Sequence, residues 1–279
     1  MGWAFSTPIP HLRSPPLSEG PTLCTAPQAW HFHASFCGLI LAAVSDPILI
    51  VLHQEHSTPG RVGRLLRERG FALDIRRPPL GDALPKDLRH HHAIVVFGGP
   101  QSANDPEAWI KAETDLLGRA CADGARVLGL CLGAQMMIRA YDGKVATHPE
   151  GRAEIGYYPV KPTQAGTKLA AEHANPWPCT VYQWHREGWF DLPKGFEALM
   201  SGGDFEQQAF RIGENAYGLQ FHPEVTYAMM CRWTVRAHER MQTPGAKPRH
   251  EHLSGWFEHD PAVRRWLDGF LDHWAGQPG

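Results

Sequence analysis

The chain has 279 residues, 43% of them hydrophobic, with 27 Lys and Arg against 29 Asp and Glu and a formal net charge of -2. That near balance excludes the electrostatic footprint of a nucleic-acid or anionic-membrane binder, and no apolar run approaches the roughly 20 residues that span a bilayer. The six cysteines (Cys24, Cys37, Cys121, Cys131, Cys179, Cys231) form no C-x-x-C pair, which in a chain of this size argues for reduced thiols and a cytoplasmic location.

In chain order, residues 1–45 carry Pro8, Pro10, Pro15, Pro16, Pro21 and Pro27 without a sustained hydrophobic period, and are expected to form a disordered or loosely attached extension. Residues 34–44 match a signal-peptide core in length, but only Arg13 precedes them where a compact basic segment should stand, so secretion is not expected. The folded unit is expected over residues 46–242, opening with a short buried strand at 48–52. Pro59 then starts a helix over 61–69 that stops at Gly70. A second strand candidate lies at 71–75 and a third at 93–97, ending abruptly at Gly98-Gly99-Pro100. A helical pattern follows over 106–123, a strand at 126–130 and a helix over 132–140. From 143 to 221 shorter strands and turns are expected, including 157–160, 181–184 and 218–221. Helical stretches at 225–241 and 261–274 flank a Pro/Gly/His-rich connector at 243–252, so residues 243–279 read as a connector and a C-terminal helix packed on the domain. Short apolar strands alternating with helices predict an α/β fold, a doubly wound, mostly parallel sheet with helices on both faces, whose ligands sit beyond the carboxyl ends of the strands.

Three segments carry chemistry. Gly129-Leu130-Cys131-Leu132-Gly133 is a G-x-C-x-G between strand and helix, a nucleophile elbow with sulfur in place of the serine oxygen. Flanking glycines are needed there because Cβ atoms would collide with sheet and helix, and the start of the following helix favours a thiolate. His222-Pro223-Glu224 follows the strand at 218–221 and supplies a base with a carboxylate to orient it. Gly98-Gly99-Pro100 offers unhindered N–H groups which, with that of Leu132, can face a tetrahedral oxyanion. Each alone has a bland reading: a buried cysteine in a turn, a surface His-x-Glu, a tight strand-to-helix turn.

Taken in order, Gly98-Gly99-Pro100, Gly129-Leu130-Cys131-Leu132-Gly133-Ala134-Gln135 and Gly218-Leu219-Gln220-Phe221-His222-Pro223-Glu224, the chain resembles the class I glutamine amidotransferases, in particular the amidotransferase part of GMP synthases and its stand-alone relatives. The resemblance covers roughly residues 47–225. It implies a flavodoxin-like fold, Cys131 as nucleophile, His222 as base, Glu224 as its orienting acid, an oxyanion hole at Gly99 and Leu132, and substrate contacts from Gly98, Gln135, Trp184 and His185. The implied substrate is glutamine or another γ-glutamyl small molecule, hydrolysed through a γ-glutamyl thioester, with ammonia passing to a separate synthase subunit and no cofactor. Two alternatives stand beside it: a γ-glutamyl peptide or amide hydrolase, and a non-catalytic relative that binds such a metabolite or a partner. One segment departs from the family. Tyr182-Gln183-Trp184-His185-Arg186-Glu187 has Arg-Glu where the family reads close to Gly-Asp, which predicts weak or shifted glutaminase activity, the bland alternative being an exposed ion pair. His53-Gln54-Glu55-His56, His90-His91-His92 and His250-Glu251-His252 lack companion ligands at zinc spacing and are expected to be solvated or second to the site, with no metal. His56 is placed to border the crevice, and Trp256 and Phe257 are expected to cover core.

Overall fold

The computed structural model describes residues 46–278, so the readings made for residues 1–45 lie outside the described residues. The elements run Ile48–Val51 (β1), Gly60–Glu68 (α1), Leu73–Arg76 (β2), Ala93–Val96 (β3), Ala108–Ala122 (α2), Val127–Leu130 (β4), Leu132–Ala140 (α3), Val145–Thr147 (β5), Glu154–Pro159 (β6), Lys161–Pro162 (β7), Gln164–Glu172 (α4), Thr180–His185 (β8), Glu187–Trp189 (β9), Phe196–Ser201 (β10), Gln207–Ile212 (β11), Ala216–Leu219 (β12), Tyr227–Arg236 (α5) and Arg249–Ala275 (α6). Eight strands form the central sheet in the order β2-β1-β3-β4-β12-β11-β10-β7. The pairings from β2 to β12 are parallel and those from β12 to β7 antiparallel. The mostly parallel, doubly wound architecture expected from the sequence is therefore present, with an antiparallel extension on one side.

Why both faces are covered is written in the strands. β1 reads Ile-Leu-Ile-Val and all four side chains are buried. Ile48 and Ile50 pack under Val62, Leu65 and Leu66 of α1 and Trp266, Leu267 and Phe270 of α6. Leu49 and Val51 face the other way, onto Leu116 and Leu117 of α2 and Met136 and Met137 of α3. A continuous apolar run instead of an alternating one is what a strand buried on both faces requires.

At the C-terminus the structure differs from the sequence reading. A helix was expected from residue 261, because proline fits the first turn, but α6 begins at Arg249 and contains Pro261. Proline inside a helix removes one donor and costs about 3 kcal/mol. The carbonyl that loses its partner is that of Phe257, a residue 72% exposed, so water can reach it. Val263, Trp266, Leu267, Phe270, Leu271 and Trp274 are buried beyond the proline and hold the C-terminal part of the helix in place. The same 72% exposure corrects the expectation that Phe257 covers core, whereas Trp256 does pack against the cluster of Tyr182, Val225 and Met230.

Asp260, immediately before that proline, receives Nη2 of Arg61 on both carboxylate oxygens at 2.8 Å. Nη1 of the same guanidinium donates to the Pro223 carbonyl at 3.4 Å, and the Arg61 N–H donates to the Glu224 carbonyl at 2.8 Å. One buried arginine thus ties α6 to the loop after β12. Removing one member of a buried pair leaves an uncompensated charge, so Asp260→Ala is expected to lower the unfolding free energy by about 3–5 kcal/mol. Urea denaturation measures it, and a loss below about 1 kcal/mol, the range of exposed pairs, would contradict this reading of the contact.

Candidate active site

Cys131 stands between β4 and α3 with φ 51° and ψ -103°, a conformation that side-chain-bearing residues rarely adopt. Its neighbours enforce it. A Cβ on Gly133 would come within 2.2 Å of the Val96 carbonyl oxygen, and one on Gly129 within 2.7 Å of the Ala134 nitrogen. Helix and sheet therefore approach more closely than any side chain allows, and the chain must turn sharply at residue 131. The Cys131 N–H donates to the Leu219 carbonyl at 2.8 Å, fixing the turn to the strand that leads to His222.

His222 follows β12, which pairs in parallel with β4 so that Leu219 lies beside Leu130. Cys131 and His222 thus leave neighbouring strands at the same end of the sheet. A Cβ placed on Gly98 would stand 2.9 Å from His222 Cε1 and 3.4 Å from Cys131 Cβ, so both groups flank one glycine. His222 Nδ1 faces Glu224 Oε1 at 2.7 Å, and Nε2 has no nitrogen or oxygen partner among the described residues. Burial works against a charge on this imidazole, but the Glu224 carboxylate and the Cys131 sulfur outweigh it and raise its pKa from the ordinary value to about 10. Trp233 of α5 closes the far side, its ring edge-on to His222 with centroids 5.2 Å apart. Cys121 makes the contrast: buried without a base, its thiol is pushed up to about 12, a poor nucleophile.

The Gly98-Gly99 loop is held from behind. His53, 2% exposed, places Nδ1 3.2 Å from the Gly98 carbonyl and Nε2 2.9 Å from Glu113 Oε2. Because carbonyl and N–H of one trans peptide point in opposite directions, fixing the Gly98 oxygen toward His53 turns the Gly99 N–H away from it. Among the described residues neither the Gly99 nor the Leu132 N–H donates a hydrogen bond within the protein. A Cβ on Gly99 would meet His53 Cβ at 2.8 Å, which excludes larger residues.

These groups border a cavity of about 390 Å³ whose wall includes Gly98, Gly99, Cys131, Trp184, His222 and Glu224. His56 lines it as well. Gln135 and His185 do not. Gln135 is 3% exposed and donates Nε2 to the Glu187 carbonyl at 2.7 Å and to Gln220 Oε1 at 3.3 Å. His185 has both ring nitrogens engaged, by the Glu187 carbonyl at 2.9 Å and by Glu154 Oε2 at 3.0 Å. Arg186 and Glu187 form no ion pair among the described residues, and the main chain of Glu187 serves the Gln135 and His185 contacts. The histidine groups match expectation in part: His56 is exposed and His53 stands behind the site on the Gly98 carbonyl, whereas His252 is buried and joins Tyr182 Oη at 2.8 Å, and His91 faces Asp74 at 3.1 Å.

Sequence reading missed Arg61, Glu113 and Trp233. A signal existed for Glu113: it falls on the apolar stripe of α2 between the buried Ile110 and Leu117, and a carboxylate at such a position implies a partner. Arg61 likewise sits on the buried side of α1 beside Val62 and Leu65.

If Glu224 holds the proton on His222, an NMR titration of the imidazole should give a midpoint near 10 in the native protein, and Glu224→Gln should move it to lower pH because the raising charge is gone. A native midpoint at the ordinary value of about 6.5 would remove the basis for this electrostatic account.

The chain matches the family model described as glutamine amidotransferase class-I over residues 55–230. It is 32% identical over 186 residues to the glutamine amidotransferase-like protein YfeJ of Salmonella typhimurium, a match covering 63% of this chain and 74% of that protein. To the glutamine-hydrolyzing GMP synthase of Porphyromonas gingivalis it is 30% identical over 181 residues, 64% of this chain but 33% of the synthase, so the match spans about a third of that enzyme. Among solved structures, a glutamine amido transferase from Methylobacillus flagellatus superposes with a TM-score of 0.76 at 25% identity, covering 82% of this chain and 94% of the other. One from Thermotoga maritima gives 0.72 at 27% identity, covering 83% and 98%.

Proposed function

Because the chain belongs to the class I glutamine amidotransferase family, we propose that it hydrolyses a γ-glutamyl amide, glutamine in the first instance, with Cys131 as nucleophile, His222 as proton carrier and Glu224 as the group that orients it. The observation that carries the reading is the convergence, on one cavity, of a sulfur on a strained turn and an imidazole whose other nitrogen is held by a carboxylate at 2.7 Å.

The reaction begins with the Cys131 sulfur attacking the amide carbon. The carbonyl electrons move to oxygen, and the N–H groups of Gly99 and Leu132 stabilise the oxyanion. Collapse of this intermediate expels ammonia, to which His222 Nε2 gives a proton, and leaves a γ-glutamyl thioester on Cys131. A water then gives a proton to His222 and its oxygen attacks the thioester; glutamate departs, and the proton is again available to the imidazole–sulfur pair. Glu224 takes no proton from substrate in this scheme. Ammonia is then available to a separate synthase subunit, and the similar Porphyromonas gingivalis GMP synthase is itself named glutamine-hydrolyzing. Gln135 acts from behind the cavity wall, positioning the main chain of Glu187.

Purified protein incubated with glutamine and a panel of γ-glutamyl amides, with glutamate and released amine measured, tests the proposal. Cys131→Ala is expected to lower turnover by at least about a thousandfold and His222→Ala comparably, while Glu224→Gln should leave roughly ten- to a hundredfold more activity than His222→Ala. Cys131→Ala retaining more than a few per cent of native turnover would remove the assigned nucleophile.

A further inference from the structure

The cavity wall formed by α5 and the turn after it is basic. Arg232, Arg236 and Arg240 all line the cavity; Arg232 and Arg236, four residues apart, share one side of α5, and Arg240 follows in the turn after it. Some surface arginines are paired, Arg64, Arg76 and Arg211 each reaching a carboxylate at 2.9 Å or less, and others such as Arg67, Arg139 and Arg265 are not paired among the described residues, so what distinguishes the three on the wall is that they converge on one cavity. Among the described residues, no carboxylate lies within ion-pair distance of Arg232, Arg236 or Arg240. Glu224 is committed to His222. The other acid on the wall, Glu55, is 76% exposed and stands beside His56 at 3.8 Å. Three guanidinium groups held against a concave surface without counter-charges form a site for an anion.

Their position relative to the reacting groups says which end of the substrate they meet. The proton for the leaving amine comes from His222, so that amine must sit on the imidazole side of the sulfur. Trp233, next to Arg232 in the chain, is the residue that packs edge-on against His222. A substituent on the leaving nitrogen therefore extends along α5, toward the arginines. The cavity volume of about 390 Å³ lies within the range of roughly 300–1,000 Å³ for pockets that enclose ligands larger than one amino acid.

Resting on the hydrolytic reading above, we propose that the preferred substrates are γ-glutamyl compounds whose leaving amine carries a carboxylate, as in a γ-glutamyl amino acid, and that Arg232, Arg236 and Arg240 bind that group. The bond broken is still the γ-amide C–N bond. The products are glutamate and a free amino acid, in place of glutamate and ammonia.

The test compares γ-glutamylglycine with γ-glutamylglycinamide, which differ in the terminal charge, with glutamine as reference and glutamate release from the full chain as readout. For the native protein, kcat/KM should be at least about tenfold higher for γ-glutamylglycine, the size expected of a charge-assisted hydrogen bond at a partly exposed site. The preference should shrink as salt is raised from about 0.05 M to about 0.5 M, since exposed charges are screened. Arg232→Glu with Arg236→Glu should abolish or invert the ratio of the two rates, and Arg232→Lys with Arg236→Lys should keep most of it. Equal kcat/KM for the two peptides in the native protein, with glutamine and both peptides hydrolysed, overturns the inference, leaves the hydrolytic function standing and assigns the arginines to another anion, such as an acidic protein surface. Absence of glutamate release from all three compounds overturns the hydrolytic reading and this inference with it.

Discussion

The structure depends on how closely α3 approaches the sheet. With 2.2 Å between a would-be Cβ of Gly133 and the Val96 carbonyl oxygen, no residue with a side chain fits, and the chain between β4 and α3 is compressed into one step. Cys131 takes that step at φ 51°, a conformation that costs about 1–3 kcal/mol and persists only when its surroundings over-determine it. Hydrogen bonds from the Cys131 N–H to Leu219 and from the Gln135 N–H to the Cys131 carbonyl do so. The compression also has a directional effect: it carries the sulfur out past the end of the sheet, where the neighbouring strand delivers an imidazole.

Position alone does not make the imidazole useful; it must also be held. The loop that carries His222 and Glu224 is clamped by α1, where the Arg61 N–H takes the Glu224 carbonyl and the Arg61 side chain the Pro223 carbonyl, and Arg61 is in turn fixed by Asp260 of α6. On the opposite side, His53 and Glu113 hold the Gly98 carbonyl. Two buried ionic or polar pairs, on opposite faces of the sheet, thus anchor the two loops that flank the sulfur. Both draw their rigidity from packed helices, which is the arrangement a site needs when small displacements cost rate.

Much of this was legible in the sequence, because glycine spacing and apolar runs are local signals. The positions of β1, β3, β4, α1 and α3 follow from runs such as Ile48-Leu49-Ile50-Val51 and from punctuation by Pro59, Gly70 and Gly98. The grouping of Cys131, His222 and Glu224 was readable from chain order and resemblance. What escaped was long-range. The helix was expected to start only at Pro261, and the turns of α6 before it depend on contacts with Arg61 and the sheet, about 200 residues away in the chain. Gln135 and His185 looked like substrate contacts, since sequence cannot tell a polar side chain that faces a cavity from one that braces its wall. The arginines on α5 and the turn after it were invisible for a related reason: only the fold shows that they meet the cavity.

The most direct test of the account is to trap the acyl intermediate. Enzyme mixed with a γ-glutamyl substrate, quenched in acid within the first turnovers and digested for mass spectrometry should carry a γ-glutamyl group on the peptide that contains Cys131. Peptides with Cys121, Cys179 or Cys231 should remain unmodified. Release of glutamate with the acyl group on a different cysteine, or with no covalent adduct at any quench time, would contradict the claim that the strained turn between β4 and α3 exists to present a nucleophile.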